Sequence, residues 1–540
     1  MPNVINLVKA RSNPGPARRD APIVVQGPLF PPLTRRKKAP TPGMTDHMHP
    51  AASPSSDRDS TPWDLEDDNL HEECGVFGVI GLKSASASVA LGLHALQHRG
   101  QEAVGITSFD GDEFFSRRGI GHVAQVFKNQ DIFAELPGKM ASGHVRYATT
   151  GGSGLRNIQP LFADLASGGF SIAHNGNISN AMTLKRDLVQ KGSIFQSTSD
   201  TEVIIHLVAT SRYPTLLDRF VDALRLVEGA YSLICMTPEG MIACRDPLGI
   251  RPLVIGRMGD GIVFASETVA LDVIGAEFIR EVDPGEMIQV SHNGKMISQR
   301  PFGEPSARPC IFEHVYFSRP DSVMGGQSVY EVRKAIGKEL AKESLADADL
   351  VIPVPDSGVP AAIGYAQESG IPFELGIIRS HYVGRTFIQP GDGARHADVK
   401  RKHNANRALV EGKRIVLIDD SIVRGTTSLK IVQMMRDAGA SEVHMRIASP
   451  PTEHSCFYGV DTPERNKLLA ARMDLQAMTD FIQADSLAFV SIDGLYRAVG
   501  EQQRNNGCPQ FCDACFSGDY PTRLTDLIEA GKGGGVKIPA

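Results

Sequence analysis

The sequence has few cysteines, a single tryptophan and no long hydrophobic run. Its eight cysteines are scattered over 540 residues, too few for a disulfide framework, so we expect a reducing compartment. No run of about 18 apolar residues occurs, and we therefore expect no membrane-spanning segment. A formal net charge of −6 provides no large basic surface, which excludes nucleic acid as the expected main partner. Small molecules are the expected ligands.

The overall amino-acid composition is typical of globular domains. Hydrophobic residues make up 41% and charged residues 22% of the chain, which excludes a wholly disordered chain, a collagen or a coiled-coil rod. The length exceeds what one hydrophobic core organises. The predicted regions are a disordered tail or propeptide at 1–73, a first domain at 74–305, a second domain at 306–500 and a cysteine-bearing C-terminal segment at 501–540.

The tail is rich in proline and in basic residues. Residues 1–70 contain 12 of the 34 prolines and cannot bury enough apolar surface to offset their ordering entropy. Within residues 1–45 the only acid is Asp20, a charge pattern typical of an organelle transit peptide, although serine is scarce. Alternatively, Met44 is the true start. We expect a cytoplasmic protein, with a plastid location as the alternative.

The two domains differ in their hydrophobic pattern. Residues 74–305 form short apolar runs separated by Gly and Asn turns, which predict sheets with packed helices. In the second domain, strands at 350–354 and 414–418 alternate with helices at 359–368 and 429–437. This alternation predicts a parallel sheet with crossover helices.

An apolar strand that runs into two acids and a Gly/Thr/Ser turn is the sharpest local signal. Strand-end carboxylates can accept hydrogen bonds from ribose hydroxyls or bind Mg²⁺, and amides at a helix N-terminus can hold phosphate. The pattern predicts a sugar-phosphate site, the alternative being an acid pair that caps the next helix. The candidate residues are Asp419, Asp420, Arg424, Gly425, Thr426, Thr427 and Ser428.

Two further loops belong to this interpretation. The turn at 353–358 follows a predicted buried strand and could supply further amides to a phosphate. The segment at 382–387 has little regular pattern, with mobility from Gly384 and a charge from Arg385. It is a candidate lid, with an ordinary surface loop as the alternative.

Cys74 lies where the tail meets the first domain. If the chain is cut after Glu73, this residue carries both a thiol and a free α-amine with a pKa of about 8, which can act as its base. The alternative is a small buried cysteine at the start of a strand.

Four polar clusters downstream of Cys74 suit glutamine as a substrate. Arg146 can bind the α-carboxylate and Asp200 the α-ammonium group. The Asn175 side chain and the Gly176 backbone N–H can hold the oxyanion formed at the carboxamide. Taken singly, a structural salt bridge or an Asn-Gly turn are alternatives. Together the clusters predict glutamine hydrolysis at Cys74.

From Glu72 to about residue 525 the chain resembles the glutamine phosphoribosylpyrophosphate amidotransferases, or amidophosphoribosyltransferases. Motifs at 245–252, 264–267 and 316–321 complete the resemblance. It implies an α/β and α+β two-domain chain, in which a class II glutamine amidotransferase domain with the N-terminal-nucleophile hydrolase αββα sandwich precedes a type I phosphoribosyltransferase domain with a parallel sheet. The implied reaction uses ammonia from glutamine to displace pyrophosphate from phosphoribosyl pyrophosphate, giving 5-phosphoribosylamine for purine synthesis.

The resemblance also implies roles for individual residues. It assigns glutaminase roles to Cys74, Arg146, Asn175, Gly176 and Asp200. It assigns the binding of magnesium and sugar phosphate to Ser357, Asp419 and Asp420. It further implies feedback inhibition by purine nucleotides and a homo-oligomer, a tetramer in this family. One departure is the run at 379–381, Arg-Ser-His, where many relatives have Lys-Asn-Arg before the lid tyrosine.

Four of the remaining cysteines suggest a metal site. Cys512 and Cys515 form a C-x-x-C pair, while Cys310 and Cys456 stand alone, and four thiolates would suit zinc or an iron–sulfur cluster equally well. The resemblance favours a [4Fe–4S] cluster, because one subgroup of the family holds it with cysteines in these contexts, the first of them before an expected strand that begins at Tyr316. Cys508 is then spare and available for ligand exchange.

Two other functions share parts of this pattern. A glucosamine-6-phosphate synthase would have the same first half but would lack Asp419, Asp420 and the phosphate loop. A regulator that senses phosphoribosyl pyrophosphate, with a vestigial glutaminase domain, would not need Cys74, Arg146 and Asp200. A glutaminase assay separates the regulator from the enzyme.

Overall fold

The structure is a computed structural model. It describes residues 71–72, 74–147, 155–303, 305–379 and 403–531. The contacts divide the chain into Met1–Asp64 and Leu65–Ala540, and all described residues belong to the second unit. The predicted tail up to residue 70 and the predicted lid at 382–387 lie outside the described residues. None of the described helices is long and apolar enough to cross a membrane.

Two antiparallel sheets build the first half of the described chain. Their strand orders are β12-β10-β11-β2-β5-β3-β4 and β14-β13-β9-β8-β7-β6. The strands are, after the short β1 (His71–Glu72), β2 (Cys74–Ile80), β3 (Ala103–Phe109), β4 (Phe114–Ile120), β5 (Met140–Arg146), β6 (Leu161–Leu165), β7 (Gly168–Ile178), β8 (Gly229–Thr237), β9 (Gly240–Arg245), β10 (Val254–Met258), β11 (Gly261–Ala265), β12 (Glu277–Glu281), β13 (Met287–Ser291) and β14 (Met296–Gln299).

Helices cover the outer face of each sheet. They are α1 (Ala85–Ala95), α2 (Val123–Val126), α3 (Ala181–Gln190), α4 (Thr201–Thr210), α5 (Leu216–Leu224) and α6 (Thr268–Ile274). Leu93 of α1 and Leu271 of α6 join one core on the first sheet, and Phe220 of α5 joins another on the second. A third core, with Val76 and Ile234, lies between the sheets. This order of helix, sheet, sheet and helix is the predicted αββα sandwich, and its double coverage explains why β2 and β5 are buried along their whole length.

A parallel sheet with order β17-β20-β21-β23 forms the second half. The strands here are β15 (Val323–Met324), β16 (Gln327–Ser328), β17 (Leu350–Pro353), β18 (Ile377–Arg379), β19 (His403–Ala405), β20 (Arg414–Asp419), β21 (Glu442–Ile447), β22 (Val460–Asp461) and β23 (Ser486–Phe489). The helices are α7 (Val329–Glu343), α8 (Val359–Ser369), α9 (Arg407–Val410), α10 (Thr426–Asp437), α11 (Leu469–Arg472), α12 (Leu475–Ile482), α13 (Ile492–Ala498), α14 (Ala514–Ser517) and α15 (Thr525–Glu529).

Residues of β20 alternate between two cores. Ile415 and Leu417 pack with Met435 of α10 on one face of the sheet, and Val416 and Ile418 join the core of α7 and α8 on the other. Coverage on both faces is what a parallel sheet requires, and the predicted strand–helix alternation is confirmed. Helix α10 begins three residues earlier than predicted, so the Thr/Ser residues of the phosphate loop form its first turn.

The prediction of a strand that begins at Tyr316 is wrong. Residues Glu313–Phe317 instead form a π-helical turn. Glu313 is fully buried there and forms ion pairs with Arg99 and Arg251 from the first half. The strand was expected from the family resemblance, whereas the turn that forms carries a carboxylate paired with two arginines that lie far away in the sequence.

Candidate active sites

Cys74 is the first residue of β2 and is buried. In the antiparallel pairing of β2 with β5, it lies directly opposite Arg146, the last residue of β5. Directly opposed residues place their side chains on the same face of a sheet, with Cβ atoms about 5 Å apart. The candidate nucleophile and the candidate carboxylate-binding arginine are therefore neighbours on one sheet face.

Asn175 and Gly176 lie on β7 of the opposite sheet, and the Asn175 side chain is fully buried. Gly176 has a φ of +141°, and a Cβ atom built there would be 2.1 Å from the Ala230 carbonyl oxygen. Glycine is therefore required at this position. A Cβ atom built on Gly459, from the second half, would lie 3.0 Å from the Gly176 Cα. The second half of the chain thus approaches the candidate oxyanion site closely.

Asp200 caps helix α4, with its carboxylate accepting a hydrogen bond from the Thr201 backbone N–H at 2.8 Å. The same carboxylate accepts a second bond from the Ile178 backbone N–H at 3.0 Å. His174 Nδ1 lies 3.7 Å from it. Asp200 is thereby tied to the strand of Asn175 and Gly176, and its side chain remains 24% exposed, which leaves part of it accessible to a ligand.

Ser266 connects the two sheets at this site, although it is not among the site residues predicted from the sequence. Its Oγ accepts a hydrogen bond from the Val76 backbone N–H at 3.0 Å and lies 3.4 Å from Asn175 Nδ2. Gln159 plays a similar part on β7, because its Oε1 accepts from the His174 backbone N–H at 2.7 Å. Ser266 lies inside a family motif at 264–267, which was the available signal.

Asp419 ends β20 and Asp420 follows it, both buried, so the predicted strand-end acid pair is present. Burial raises the pKa of Asp420, while hydrogen bonds from Ser357 and Ser421 and the charge of Arg333 lower it. The Ser421 hydroxyl donates at 2.6 Å. Ser357 lies in the predicted turn after β17, so the structure brings this turn to Asp420.

The predicted phosphate loop leads into the N-terminus of α10. Gly425 has a φ of +81° in the left-handed region and forms the N-cap. Ser428 is buried, whereas Arg424, Thr426 and Thr427 are half-buried. The first turn of a twelve-residue helix thus follows the two aspartates after a short loop, and the backbone amides at a helix N-terminus suit an anion.

Two residues around this site were not predicted to interact. Arg333 of α7 is buried, and it donates to the His314 carbonyl oxygen at 2.8 Å and to the Ser318 carbonyl oxygen at 2.7 Å. Arg379, the first residue of the Arg-Ser-His departure, forms an ion pair with Asp356 of the turn after β17. The other two residues of that run lie outside the described part of the chain.

The four predicted cluster cysteines line one cavity. They are Cys310, Cys456, Cys512 and Cys515. Backbone contacts hold the segments together: the Ile311 N–H donates to the Cys512 carbonyl oxygen at 3.1 Å, and the His454 N–H donates to the Cys515 carbonyl oxygen at 3.1 Å. Cys508 is exposed and is not part of the lining.

Electrostatics of this cavity disfavour four free thiolates. Burial raises the pKa of Cys310 to about 12 and raises that of Cys512 and Cys515 well above the usual range, with the neighbouring thiols adding to the effect. Arg251 also lines the cavity. Among the described residues, no three His, Cys, Asp or Glu side chains are arranged to hold a single metal ion.

A chain of fully buried ion pairs connects the two halves. Arg99 pairs with Glu267 and, at 2.6 Å, with Glu313, and Arg251 pairs with Glu313 at 2.9 Å. The Ser322 hydroxyl, from the second half, donates to Glu267 at 2.6 Å. These contacts run from the residue after Ser266 to the cavity of the four cysteines.

Both halves of the chain match known domain families. Residues 145–273 match the glutamine amidotransferase domain, and residues 327–449 match the phosphoribosyl transferase domain. The chain is 59% identical over 467 residues to an amidophosphoribosyltransferase of Rhizobium etli, covering 86% of this chain and 94% of that protein. It is 49% identical over 490 residues to amidophosphoribosyltransferase 1, chloroplastic, of Arabidopsis thaliana, covering 89% of this chain and 85% of that protein.

Two solved structures resemble the whole described fold. One, described as the allosteric regulatory enzyme of purine biosynthesis, has a TM-score of 0.80 and 49% identity, and covers 84% of this chain and 97% of that one. The other is the glutamine phosphoribosylpyrophosphate amidotransferase of Bacillus subtilis complexed with ADP and GMP. It has a TM-score of 0.79 and 48% identity, and covers 84% of this chain and 98% of that one.

Proposed function

The chain belongs to the amidophosphoribosyltransferase family, and from this premise we propose which of its residues carry out the two half-reactions. The enzyme hydrolyses glutamine and uses the ammonia to make 5-phosphoribosylamine from phosphoribosyl pyrophosphate, in purine biosynthesis. The observation that carries the assignment is the position of Cys74 opposite Arg146, with Asn175 linked through Ser266 to the strand of Cys74.

In the first half-reaction the Cys74 thiol attacks the carboxamide carbon of glutamine, and its proton passes to the free α-amine of the same residue. Asn175 and the Gly176 N–H stabilise the resulting oxyanion. Collapse breaks the carbon–nitrogen bond, the α-amine returns the proton to the leaving ammonia, and water then hydrolyses the γ-glutamyl thioester to glutamate. Arg146 and Asp200 hold the α-carboxylate and α-ammonium groups. This chemistry requires removal of residues 1–73.

In the second half-reaction the ammonia attacks the anomeric carbon of phosphoribosyl pyrophosphate, and pyrophosphate leaves with the electron pair of the broken bond. The loop at 424–428 holds the 5-phosphate with its amides and hydroxyls. Asp419 and Asp420 accept hydrogen bonds from the ribose hydroxyls. The protein contributes positioning rather than a covalent intermediate.

Magnesium fits the acid pair. Asp420 is a buried carboxylate whose pKa burial raises, so a cation there would offset the cost of its charge. Ser357, Asp419 and Asp420 would hold the ion, directly or through water. Magnesium bound there supplies positive charge for the leaving pyrophosphate.

The cysteine cavity fits an iron–sulfur cluster better than zinc. Four thiols line one cavity, cysteine thiolates hold [4Fe–4S] clusters, and the family resemblance favours such a cluster over zinc. The iron charge would also offset the burial that raises the thiol pKa values. Cys310, Cys456, Cys512 and Cys515 would hold the cluster and thereby cross-link distant parts of the chain. On this basis we propose that the enzyme belongs to the iron–sulfur subgroup.

We infer the regulation, assembly and location of this enzyme from its relatives. The Bacillus subtilis relative was solved with ADP and GMP, which supports feedback inhibition of this enzyme by purine nucleotides. A homo-tetramer is proposed from the family resemblance. We propose a cytoplasmic location, with the plastid as the alternative, which the chloroplastic Arabidopsis relative supports. No observation favours a sensor with a vestigial glutaminase domain.

Replacement of Cys74 tests the two-site assignment. Cys74→Ala should abolish glutamine-dependent synthesis yet leave ammonia-dependent synthesis of phosphoribosylamine, because the thiol serves the first half-reaction alone. Cys235→Ala, which removes another buried thiol of the same domain, is the matched control and should keep both activities. Equal loss of both activities in Cys74→Ala would contradict the assignment.

A further inference from the structure

Ser266 occupies a buried position between the nucleophile strand and the oxyanion strand. It lies just after β11 and has no exposed surface. Its Oγ accepts the hydrogen bond from the Val76 backbone N–H at 3.0 Å, and its own backbone N–H donates to the Val76 carbonyl oxygen at 3.1 Å. Val76 is two residues from Cys74, so Ser266 is fixed relative to the nucleophile.

The contact between Ser266 and Asn175 leaves one group of each side chain without a hydrogen-bond partner among the described residues. Asn175 Nδ2 points to the Ser266 Oγ at 3.4 Å, where both the amide and the Val76 N–H are donors to the same oxygen. The Asn175 Oδ1 atom is buried and has no hydrogen-bond partner within the described part of the chain. In the described hydrogen bonds Ser266 Oγ only accepts, so its hydroxyl proton has no acceptor.

A half-turn of the Asn175 amide gives Asn175 Oδ1 and the Ser266 hydroxyl one hydrogen-bond partner each. The Ser266 hydroxyl then donates to Asn175 Oδ1 while its oxygen still accepts from the Val76 N–H, which uses the hydroxyl as donor and acceptor at once. The Nδ2 group moves to the buried position now held by the unpartnered Oδ1. The turn leaves the Nδ2 donors, in place of Oδ1, without a partner among the described residues, so this orientation is favoured when an oxyanion at that position accepts from Nδ2–H.

We propose that Ser266 is a positioning residue of the glutaminase, which selects the orientation of Asn175 that presents Nδ2–H to the oxyanion. The inference rests on the proposed role of Asn175. Only the N–H face of the amide can stabilise the developing negative charge, because the carbonyl face would repel it. The same serine therefore sets both the direction of the donor and its distance from the strand of Cys74.

Single substitutions test this role by their effect on kcat and KM. Ser266→Ala should lower the kcat for glutamine about tenfold, the effect of one internal hydrogen bond, with the KM for glutamine nearly unchanged. Ammonia-dependent synthesis should stay at the level of the unaltered enzyme, which shows that the chain is folded. Ser171→Ala is the matched control, because Ser171 is a buried serine of β7 with no partner for its Oγ within the described residues.

A double-mutant cycle separates positioning from a structural role. Asn175→Ala should lower the kcat by about 10²- to 10³-fold, and Ser266→Ala should cause no further loss in that background. An equal loss in both backgrounds, or an unchanged kcat in Ser266→Ala when Asn175→Ala is impaired, would overturn the positioning role. Full glutamine-dependent activity in Asn175→Ala would instead overturn the proposed function of Asn175 itself.

Discussion

Asp420 illustrates how a single residue is adapted to bind a charged substrate. Burial raises its pKa, while Ser357, Ser421 and Arg333 favour its charged form. The carboxylate is thereby kept buried, with only part of its charge compensated by the described residues. A bound cation or the ribose hydroxyls of the substrate would supply the remainder.

Replacing the two acids should disable both nitrogen sources. In Asp419→Asn/Asp420→Asn we expect ammonia- and glutamine-dependent synthesis to fall together, by about 10²-fold or more, because sugar-phosphate and magnesium positioning fails for either. Initial rates at saturating substrate are the measurement. Asp437→Asn, at an exposed position at the end of α10, is the control. Substantial synthesis by the double variant would contradict the assigned role.

At the scale of elements, buried ion pairs join segments that belong to different halves. Glu313 lies on a π-helical turn, Arg99 on a 3-10 turn after α1, and Glu267 at the N-cap of α6. Burial raises the pKa of Glu313, but Arg99 and Arg251 more than offset this and hold it below its usual value. The turns are therefore fixed to one another by charge as well as by packing.

Glu313→Gln should destabilise the fold strongly. It leaves Arg99 and Arg251 buried beside a neutral side chain, which we expect to cost about 3–5 kcal/mol. Because the pKa of Glu313 is lowered in the folded state, its contribution is complete above about pH 4.3 and declines as the pH falls below that value.

Thermal unfolding at neutral pH is the measurement for this variant. The control is Glu135→Gln, which breaks the exposed ion pair with Arg117 and should change the stability by less than about 1 kcal/mol. Equal stability losses in the two variants would refute the importance of the buried pairs.

At the scale of the whole molecule, the cysteine-bearing segments also contact the glutaminase half. Asn177, next to Gly176, donates to the Phe457 carbonyl oxygen at 2.9 Å. Asp526 of α15 accepts from the Met182 and Thr183 backbone N–H groups at the start of α3. A cluster held by these segments would thus stabilise the junction between the two active sites.

We expect protein purified without air to contain about four irons per chain, to be brown, and to bleach and lose stability in air. Metal analysis and visible absorption are the measurements. Cys456→Ser should lose the iron, whereas Cys508→Ser should retain it, because Cys508 is outside the cavity lining. Stoichiometric zinc, or unchanged iron in Cys456→Ser, would overturn the cluster assignment.

The last prediction concerns removal of the tail. Trp63 is the only tryptophan, so an enzyme that begins at Cys74 should lack tryptophan emission, and its intact mass should correspond to residues 74–540. Blocking the cut, for instance by Cys74→Ala if the thiol catalyses it, should retain both the emission and the extra mass. Active enzyme whose mass still includes Trp63 would refute the N-terminal-nucleophile mechanism.

The sequence predicted those parts of the fold and of the site that depend on residues close together in the chain. The apolar run of β20, its terminal acids and the turn into α10 lie within fifteen consecutive residues, so strand, acid pair and loop were all predicted in place. The strands of the sandwich were partly recognised, because burial on both faces produces continuous apolar runs. The conformation of the segment around Tyr316 was predicted wrongly, because it depends on contacts with arginines that are distant in the sequence.

The sequence by itself determined the strand-end acids and the phosphate loop, because one short contiguous pattern encodes them. The two domain types and the candidate nucleophile rested on the family resemblance and on polar clusters spread along the chain. Only the tertiary structure decided which distant groups meet. It set Cys74 opposite Arg146, Ser266 between Val76 and Asn175, and four cysteines around one cavity. Such meetings depend on strand register and sheet packing, which are properties of the complete core and which no local pattern specifies.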